Sequence, residues 1–412
     1  MVTEYLHRED RSLRRSVAWL AVVVLLVTFL PWAPAAAETA KDITSSCKFY
    51  AGSGRTGDNA FAKCTDRNYR TYWKTNNGEK CYVEVTLPEG QSASGVMVQW
   101  FEHPHAWGIQ VKDEETGKWV DAGHTEGTYL AEYLPVPEGV TKFRVANAPG
   151  EGRHFNLTEL RIYGEGELPP EVQQWEPCAD KADLMLLVAH SDDEVLWFGG
   201  TLPRYAGEEG KTCQVCMMVP SVPYRRLELL DCLWTCGVKN YPAWANFPDA
   251  FSAQLSKQYK KWKKNRVYEV VTEWIRRFKP EVLLSHDIKG EYGHGAHMAC
   301  SDAAMHCLKL AANSEKYPKS AKSYGTWDVP KCYIHLWKEN VIDMDWRQPL
   351  DAFGGKTGFE VAEAGFRCHI SQQVTDYHVE DWGPWDNSLF GLYRSLVGED
   401  VEKNDFFENL GR

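Results

Sequence analysis

Hydrophobic and polar positions follow two different rhythms along this chain. Between about residues 42 and 166 they alternate in short runs, at 82–87, 95–100, 107–111, 119–120, 143–145 and 160–163. Alternation at this spacing, broken by turns such as Glu115-Thr116-Gly117-Lys118, predicts an antiparallel β-sandwich. From residue 181 the rhythm changes. The unbroken apolar run Leu184-Met185-Leu186-Leu187-Val188-Ala189 predicts a strand buried on both faces. A helix from about 193, a strand over 212–219 and a helix over 225–236 stopped by Gly237 follow. Next come one long helix over 256–278 ended by Pro280, a strand over 281–284, a helix to about 312 and a strand over 331–336. Regular alternation of this kind predicts an α/β domain over 181–412, with a Rossmann-like, mostly parallel sheet covered on both faces. Residues 167–180 read as the linker, since Pro169-Pro170 and flanking acids supply little apolar surface.

The first 37 residues carry a third pattern. Arg8, Arg11, Arg14 and Arg15 precede an apolar stretch over 17–30, and Ala35-Ala36-Ala37 follows. A positive segment, a short apolar core and a small-residue site form an export signal cut near Ala37. The apolar stretch is short for a bilayer span. The expectation is an exported chain, secreted or held at the cell surface.

Charge narrows the partners. The formal net charge is −11, and removal of a signal holding four arginines and three acids makes it more negative. An acidic chain lacks the basic footprint that phosphate binding needs, which excludes nucleic acid as a partner.

The candidate chemistry sits where strands end. The first strand empties into His190-Ser191-Asp192-Asp193-Glu194. Acids after a strand often only cap a helix and complement its dipole, but a histidine at the strand end adds a metal-ligating side chain. The strand over 281–284 empties into Ser285-His286-Asp287-Ile288-Lys289-Gly290-Glu291-Tyr292-Gly293-His294-Gly295-Ala296-His297. A catalytic metal site needs about three protein ligands and an open position. His190, Asp193 and His297 meet that need, and Asp192 and His294 remain as a base and an acid.

At these residues the chain resembles the PIG-L/LmbE-like zinc-dependent N-acetylglucosamine deacetylases. Ala189-His190-Ser191-Asp192-Asp193-Glu194 is similar to the family's A-H-P-D-D-E, with Ser191 in place of proline. Gly290-Glu291-Tyr292-Gly293-His294-Gly295-Ala296-His297 is similar to its G-E-Y-G loop and H-x-x-H. Arg225-Arg226-Leu227-Glu228 resembles an R-R-x-E helix, and His369-Ile370-Ser371-Gln372 an H-x-S-Q segment. The resemblance implies Zn2+ held by His190, Asp193 and His297, Asp192 as general base, and a protonated His294 stabilising the oxyanion. Arg225, Arg226 and His369 are weaker candidates for contact with an amino-sugar glycan substrate.

Residues 42–166 resemble a discoidin, or coagulation-factor C-type, module, through Asp66 with Tyr72-Trp73, the strand pair around Gly108 and Trp119, and the closing Asn156-Leu157-Thr158-Glu159-Leu160-Arg161-Ile162-Tyr163-Gly164. Such modules bind surface glycans through loops at one end. Trp73, Trp100, Phe101, His103, His105 and Trp107 are either sugar-stacking or core aromatics.

The 12 cysteines permit disulfides in an exported chain, or buried thiols. Cys213 and Cys216 on one strand point to opposite faces and do not chelate together. His286, His306, His335 and His378 read as hydrogen-bonded scaffold, His286 lying nearest the ligands. The expected function is removal of N-acetyl groups from N-acetylglucosamine-type sugars on an extracellular glycan or glycoconjugate. Two readings compete: a catalytically silent glycan-binding protein, and a metal-dependent amide hydrolase with a non-sugar substrate.

Overall fold

In the computed structural model the described residues are 38–53, 59–76 and 81–411. The export signal expected over 1–37 lies outside them. No described helix is long and apolar enough to cross a membrane.

The alternating region forms two antiparallel sheets. Its strands are β1 (Lys48–Ala51), β2 (Trp73–Lys74), β3 (Tyr82–Thr86), β4 (Ala93–Trp100), β5 (Trp107–Lys112), β6 (Trp119–Thr125), β7 (Ala131–Pro135), β8 (Lys142–Asn147) and β9 (Asn156–Gly164). One sheet runs β1-β3-β8-β5-β6 and the other β2-β9-β4-β7. Trp73, Trp100, Trp107 and His105 are buried in the sandwich, so these four candidates for sugar stacking are core side chains. Phe101 is half-buried and stacks on Tyr72 with ring centroids 4.1 Å apart, while His103 is exposed.

The second region builds one seven-stranded sheet from β10 (Leu184–Val188), β11 (Cys213–Met217), β12 (Ala243–Trp244), β13 (Val282–Ser285), β14 (Lys331–His335), β15 (Val341–Asp343) and β18 (Leu389–Ser395). The order is β12-β11-β10-β13-β14-β18-β15. The first five strands are parallel, and β18 is antiparallel to both β14 and β15. A two-stranded ribbon, β16 (Pro349–Leu350) with β17 (Lys356–Thr357), lies outside it.

Both faces of this sheet are buried. Leu184, Leu186 and Val188 pack into one core, and Met185, Leu187 and Ala189 into the other. The first core takes α2 (Pro223–Thr235) and α7 (Gly358–Cys368), and the second takes α4 (Lys264–Phe278) and α5 (Gly295–Ala312). Cys213 belongs to one core and Cys216 to the other, as opposite-facing positions on a strand must. All twelve cysteines are free thiols.

The long helix expected over 256–278 is two helices, α3 (Leu255–Trp262) and α4. The break is Lys263, in a left-handed conformation at φ 61°. Trp262 fixes it: the indole packs on Phe247 with centroids 5.1 Å apart and donates its N–H to the Pro248 carbonyl at 2.9 Å. A straight helix would carry one of the two apolar faces away from the core.

The sandwich and the α/β region share one hydrophobic core within a single compact unit, 40–412. Between them Val172 and Trp175 are buried, and Trp175 packs edge-on against Trp234 of α2 at 5.3 Å. Asp231 of α2 accepts the Tyr69 hydroxyl at 2.6 Å and the Gln173 amide at 2.6 Å.

Candidate active site

Strand order reverses beside β10, from which the chain passes outward through β11 and β12 before returning to β13. In open α/β sheets the crevice at such a point, at the carboxyl ends of the strands, is the ligand site. The segments after β10 and β13 meet there.

After β10 the backbone turns sharply into the short helix α1 (Asp193–Leu196). Asp192 sits at the turn with φ 107°, a conformation that a non-glycine residue holds only where its surroundings fix it. Here the Asp192 N–H donates to Glu194 Oε2 at 2.9 Å, and Glu194 Oε1 lies 2.6 Å from His369 Nε2. Asp193 is held from three sides. Its Oδ2 accepts the backbone N–H of His190 at 2.7 Å and of Ala189 at 3.2 Å, and its Oδ1 accepts the Trp197 indole N–H at 2.9 Å.

After β13 the loop closes on itself before α5. Gly290, at φ 72°, passes so close to the His294 carbonyl that a Cβ would lie 2.3 Å from it. This close turn carries Glu291 inward. Its carboxylate is fully buried and meets three imidazoles: His297 Nδ1 at 2.7 Å, His335 Nδ1 at 3.0 Å and His286 Nδ1 at 3.2 Å.

Three ligand-type side chains then converge. His190 Nδ1 lies 3.3 Å from His297 Nε2 and 3.5 Å from Asp193 Oδ2, and His297 Nε2 lies 3.3 Å from Asp193 Oδ1. Two imidazole nitrogens and a carboxylate at these separations fit a single zinc-type ion. His297 is prepared for that role, because Glu291 engages its Nδ1 and leaves Nε2 facing the cluster. Two overlapping groups bring one ligand atom from each residue within 4.8 Å of the others: His190, His294 and His297, and Asp193, His286 and His297. A third, Glu194 with Cys232 and His369, is equally buried. There the glutamate and histidine are already in direct hydrogen-bond contact, with no space for an ion between them.

The electrostatics follow from burial and crowding. Burial works against the Asp193 carboxylate, but His297 and His286 outweigh it and hold its pKa well below the usual range. Burial also opposes charge on His297, yet Asp193 and Glu291 raise it to about 10, so the pair of carboxylates favours a positive centre at this point. Asp192 is pushed up to about 7 by burial, against the pull of Arg225. Burial and the neighbouring His190 and His297 press His294 down to about 3. Its imidazole is therefore neutral in this arrangement, where the sequence reading has it protonated. Its Nδ1 accepts the Ala296 N–H at 3.1 Å, which leaves the proton on Nε2.

The remaining sequence candidates divide. Arg225 reaches the site: its guanidinium donates to the Ser191 carbonyl and lies 3.3 Å from Asp192 Oδ2. Arg226 turns away, donating to the carbonyls of Pro220 at 2.6 Å and Ser221 at 3.2 Å. His369 is fully buried behind Asp192, bonded to Glu194 instead of facing the crevice. Glu228 accepts the backbone N–H and hydroxyl of Ser371 at 2.9 and 2.6 Å, tying α2 to the segment after α7. His286 faces Asp193 at 3.3 Å, the position next to the ligands that the sequence suggests.

Sequence reasoning misses four residues here. Glu291 and Glu194 stand inside recognised motifs with no role read from them, and Trp197 looks like a core aromatic. Asp249, 3.9 Å from His190 Nε2, comes from a loop with no motif.

Residues 185–308, from β10 into α5, match the PIG-L family, GlcNAc-PI de-N-acetylases. A 1D-myo-inositol 2-acetamido-2-deoxy-alpha-D-glucopyranoside deacetylase from Catenulispora acidiphila is 26% identical over 233 residues, 48% of this chain and 68% of its own length. A protein of the same description from Saccharopolyspora erythraea is 28% identical over 178 residues, 36% of this chain and 63% of its own. The chain thus spans about two thirds of the length of the curated relatives it matches. The solved N,N'-diacetylchitobiose deacetylase from Pyrococcus horikoshii is similar with a TM-score of 0.36 and 17% identity, covering 47% of this chain and 72% of that one.

Proposed function

We propose that the chain is a zinc-dependent N-deacetylase that converts the N-acetyl group of an N-acetylglucosamine-type sugar into a free amine and acetate. In this reading residues 181–412 are the deacetylase domain, 167–180 join it to a discoidin-like module over 42–166, and 1–37 direct export toward an extracellular glycan. The observation that carries it is the convergence of His190 Nδ1, His297 Nε2 and Asp193 beside a half-buried, strained Asp192. The family match over 185–308 and the deacetylase relatives support the same chemistry.

His190, Asp193 and His297 would hold the ion. A zinc ion in such a site lowers the pKa of bound water and polarises the amide carbonyl. Asp192 accepts the proton of the attacking water, and a carboxyl pushed up to about 7 is matched to that transfer near neutral pH. Arg225 orients the Asp192 carboxylate and keeps it ionised often enough to act as a base. His294, with its proton on Nε2, donates to the oxygen on which negative charge develops. Asp192 then returns the proton to the leaving nitrogen.

Elemental analysis of the mature chain, with acetate release from N-acetylated sugars, tests this reading on wild type and Asp192→Asn. About one zinc in both proteins, with activity lowered about 100-fold or more in the variant, is expected. Bound zinc without acetate release from any N-acetyl sugar would move the reading to a hydrolase of non-sugar amides. A chain without metal would sink the mechanism.

A further inference from the structure

Aromatic side chains cluster around His294, two of them exposed, Phe251 and Tyr292, and two half-buried, Tyr377 and Trp385. Phe251 is 64% exposed, and its ring meets the His294 imidazole edge-on at 5.0 Å. The backbone beneath that exposed ring is fixed. The Phe251 carbonyl accepts Lys261 Nζ at 2.6 Å, and the adjoining Ser252 carbonyl accepts the Gly295 N–H at 2.6 Å. Gly295 permits this seat, since a Cβ there would lie 2.3 Å from Ser252 Oγ.

Tyr292 also meets the His294 ring edge-on, at 5.7 Å, and is 37% exposed. Tyr377 follows at 5.0 Å from Tyr292, and Trp385 at 6.2 Å from Tyr377. The segment bearing these last two is anchored as well. Arg347 pairs with Asp381 at 2.7 Å, and His335 Nε2 lies 3.0 Å from the Asp386 carbonyl. Phe251 and Tyr292 therefore both contact the His294 imidazole, and the half-buried Tyr377 and Trp385 continue from Tyr292, on backbone that is held in place.

A pyranose presents C–H bonds on its flat faces and hydroxyls at its edge, so it rests on an aromatic ring with its polar rim in water. The charge of the mouth selects further. Asp249, its side chain 57% exposed, stands 3.9 Å from His190, and the chain's formal net charge is −11. Both oppose an anionic glycan.

Resting on the deacetylase reading of this site, we propose that Phe251, and Tyr377 with Trp385, bind the neighbouring sugars of an uncharged, linear N-acetylated glycan. The reactive sugar is an internal unit of a chain, and the rings select for chain length.

The test compares the monomer, dimer and tetramer of β-1,4-linked N-acetylglucosamine on the metal-loaded chain. Acetate release is read for wild type, Phe251→Ala, Tyr377→Ala and the ring-keeping Tyr377→Phe. The kcat/KM of wild type is expected to rise about tenfold or more from monomer to tetramer. Each alanine variant lowers the tetramer's value about five- to tenfold more than the monomer's, and Tyr377→Phe retains most of the gain. A second arm titrates the same glycans calorimetrically onto Asp192→Asn, with and without the alanine substitutions. Length-dependent binding without turnover in wild type would keep the subsites and overturn the deacetylase. Turnover without length dependence, or equal losses on monomer and tetramer, would overturn the subsites and keep the deacetylase.

Discussion

The Glu291 carboxylate accepts the Nδ1–H of His297 at 2.7 Å, and through that bond sets which nitrogen of His297 faces His190 and Asp193. A carboxylate behind a ligating imidazole fixes its tautomer and raises its basicity. Glu291 does more than this, because the same side chain also meets His286 and His335.

Glu291→Gln should therefore weaken metal binding about 10- to 100-fold without removing a ligand. Competition against a chelator of known affinity measures this directly. Metal affinity equal to that of wild type would show that the helix position alone orients His297.

His294 is hydrogen-bonded through Nδ1 to the start of α5, and its Nε2 carries the proton. It also lies close enough to His190 and His297 to act as a third nitrogen ligand. His294→Ala separates the two roles. As a donor to the developing oxyanion, its loss lowers kcat about 100- to 1,000-fold and leaves the bound metal in place. Loss of the metal in this variant would make it a ligand.

The sandwich contains a pH-sensitive group far from this chemistry. Glu159 is buried, its Oε1 has no hydrogen-bond partner among the described residues, and Arg161 stands 3.9 Å from its Oε2. Burial pushes this carboxyl up to about 7, against the pull of Arg161. The folded state thus holds the proton where the unfolded chain has released it. Stability falls as pH rises from about 4.5 through 7, and the loss is complete above that. Glu159→Gln should flatten this dependence and gain on the order of 2 kcal/mol over wild type at pH 8. Denaturant midpoints at pH 5 and pH 8 check the sign.

The sequence carries the skeleton of the site plainly, because both ligand groups follow strands whose apolar runs are unbroken. His190, Asp193 and His297 meet as their positions at adjacent strand ends require. The alternating stretch before residue 166 likewise becomes two antiparallel sheets. What sequence does not carry is the direction of a side chain whose partner is remote in the chain. Arg225 and Arg226 are adjacent, yet one reaches Asp192 and the other caps carbonyls at the end of β11. His369 sits beside a motif serine and serves Glu194 from within the core. The break at Lys263 is similarly invisible, because both halves keep helical periodicity and only the packing of Trp262 interrupts them.

The joint between the two regions has a mechanical meaning. Tyr69, Gln173 and Asp231 lock the sandwich to the helix that also bears Arg225, and buried aromatics fill the space around them. A flexible tether would let one part sweep a volume around the other, with an effective concentration set by tether length. This joint has no slack. The sandwich therefore stands at a set offset from Asp192, and each face of the one keeps its distance from the other.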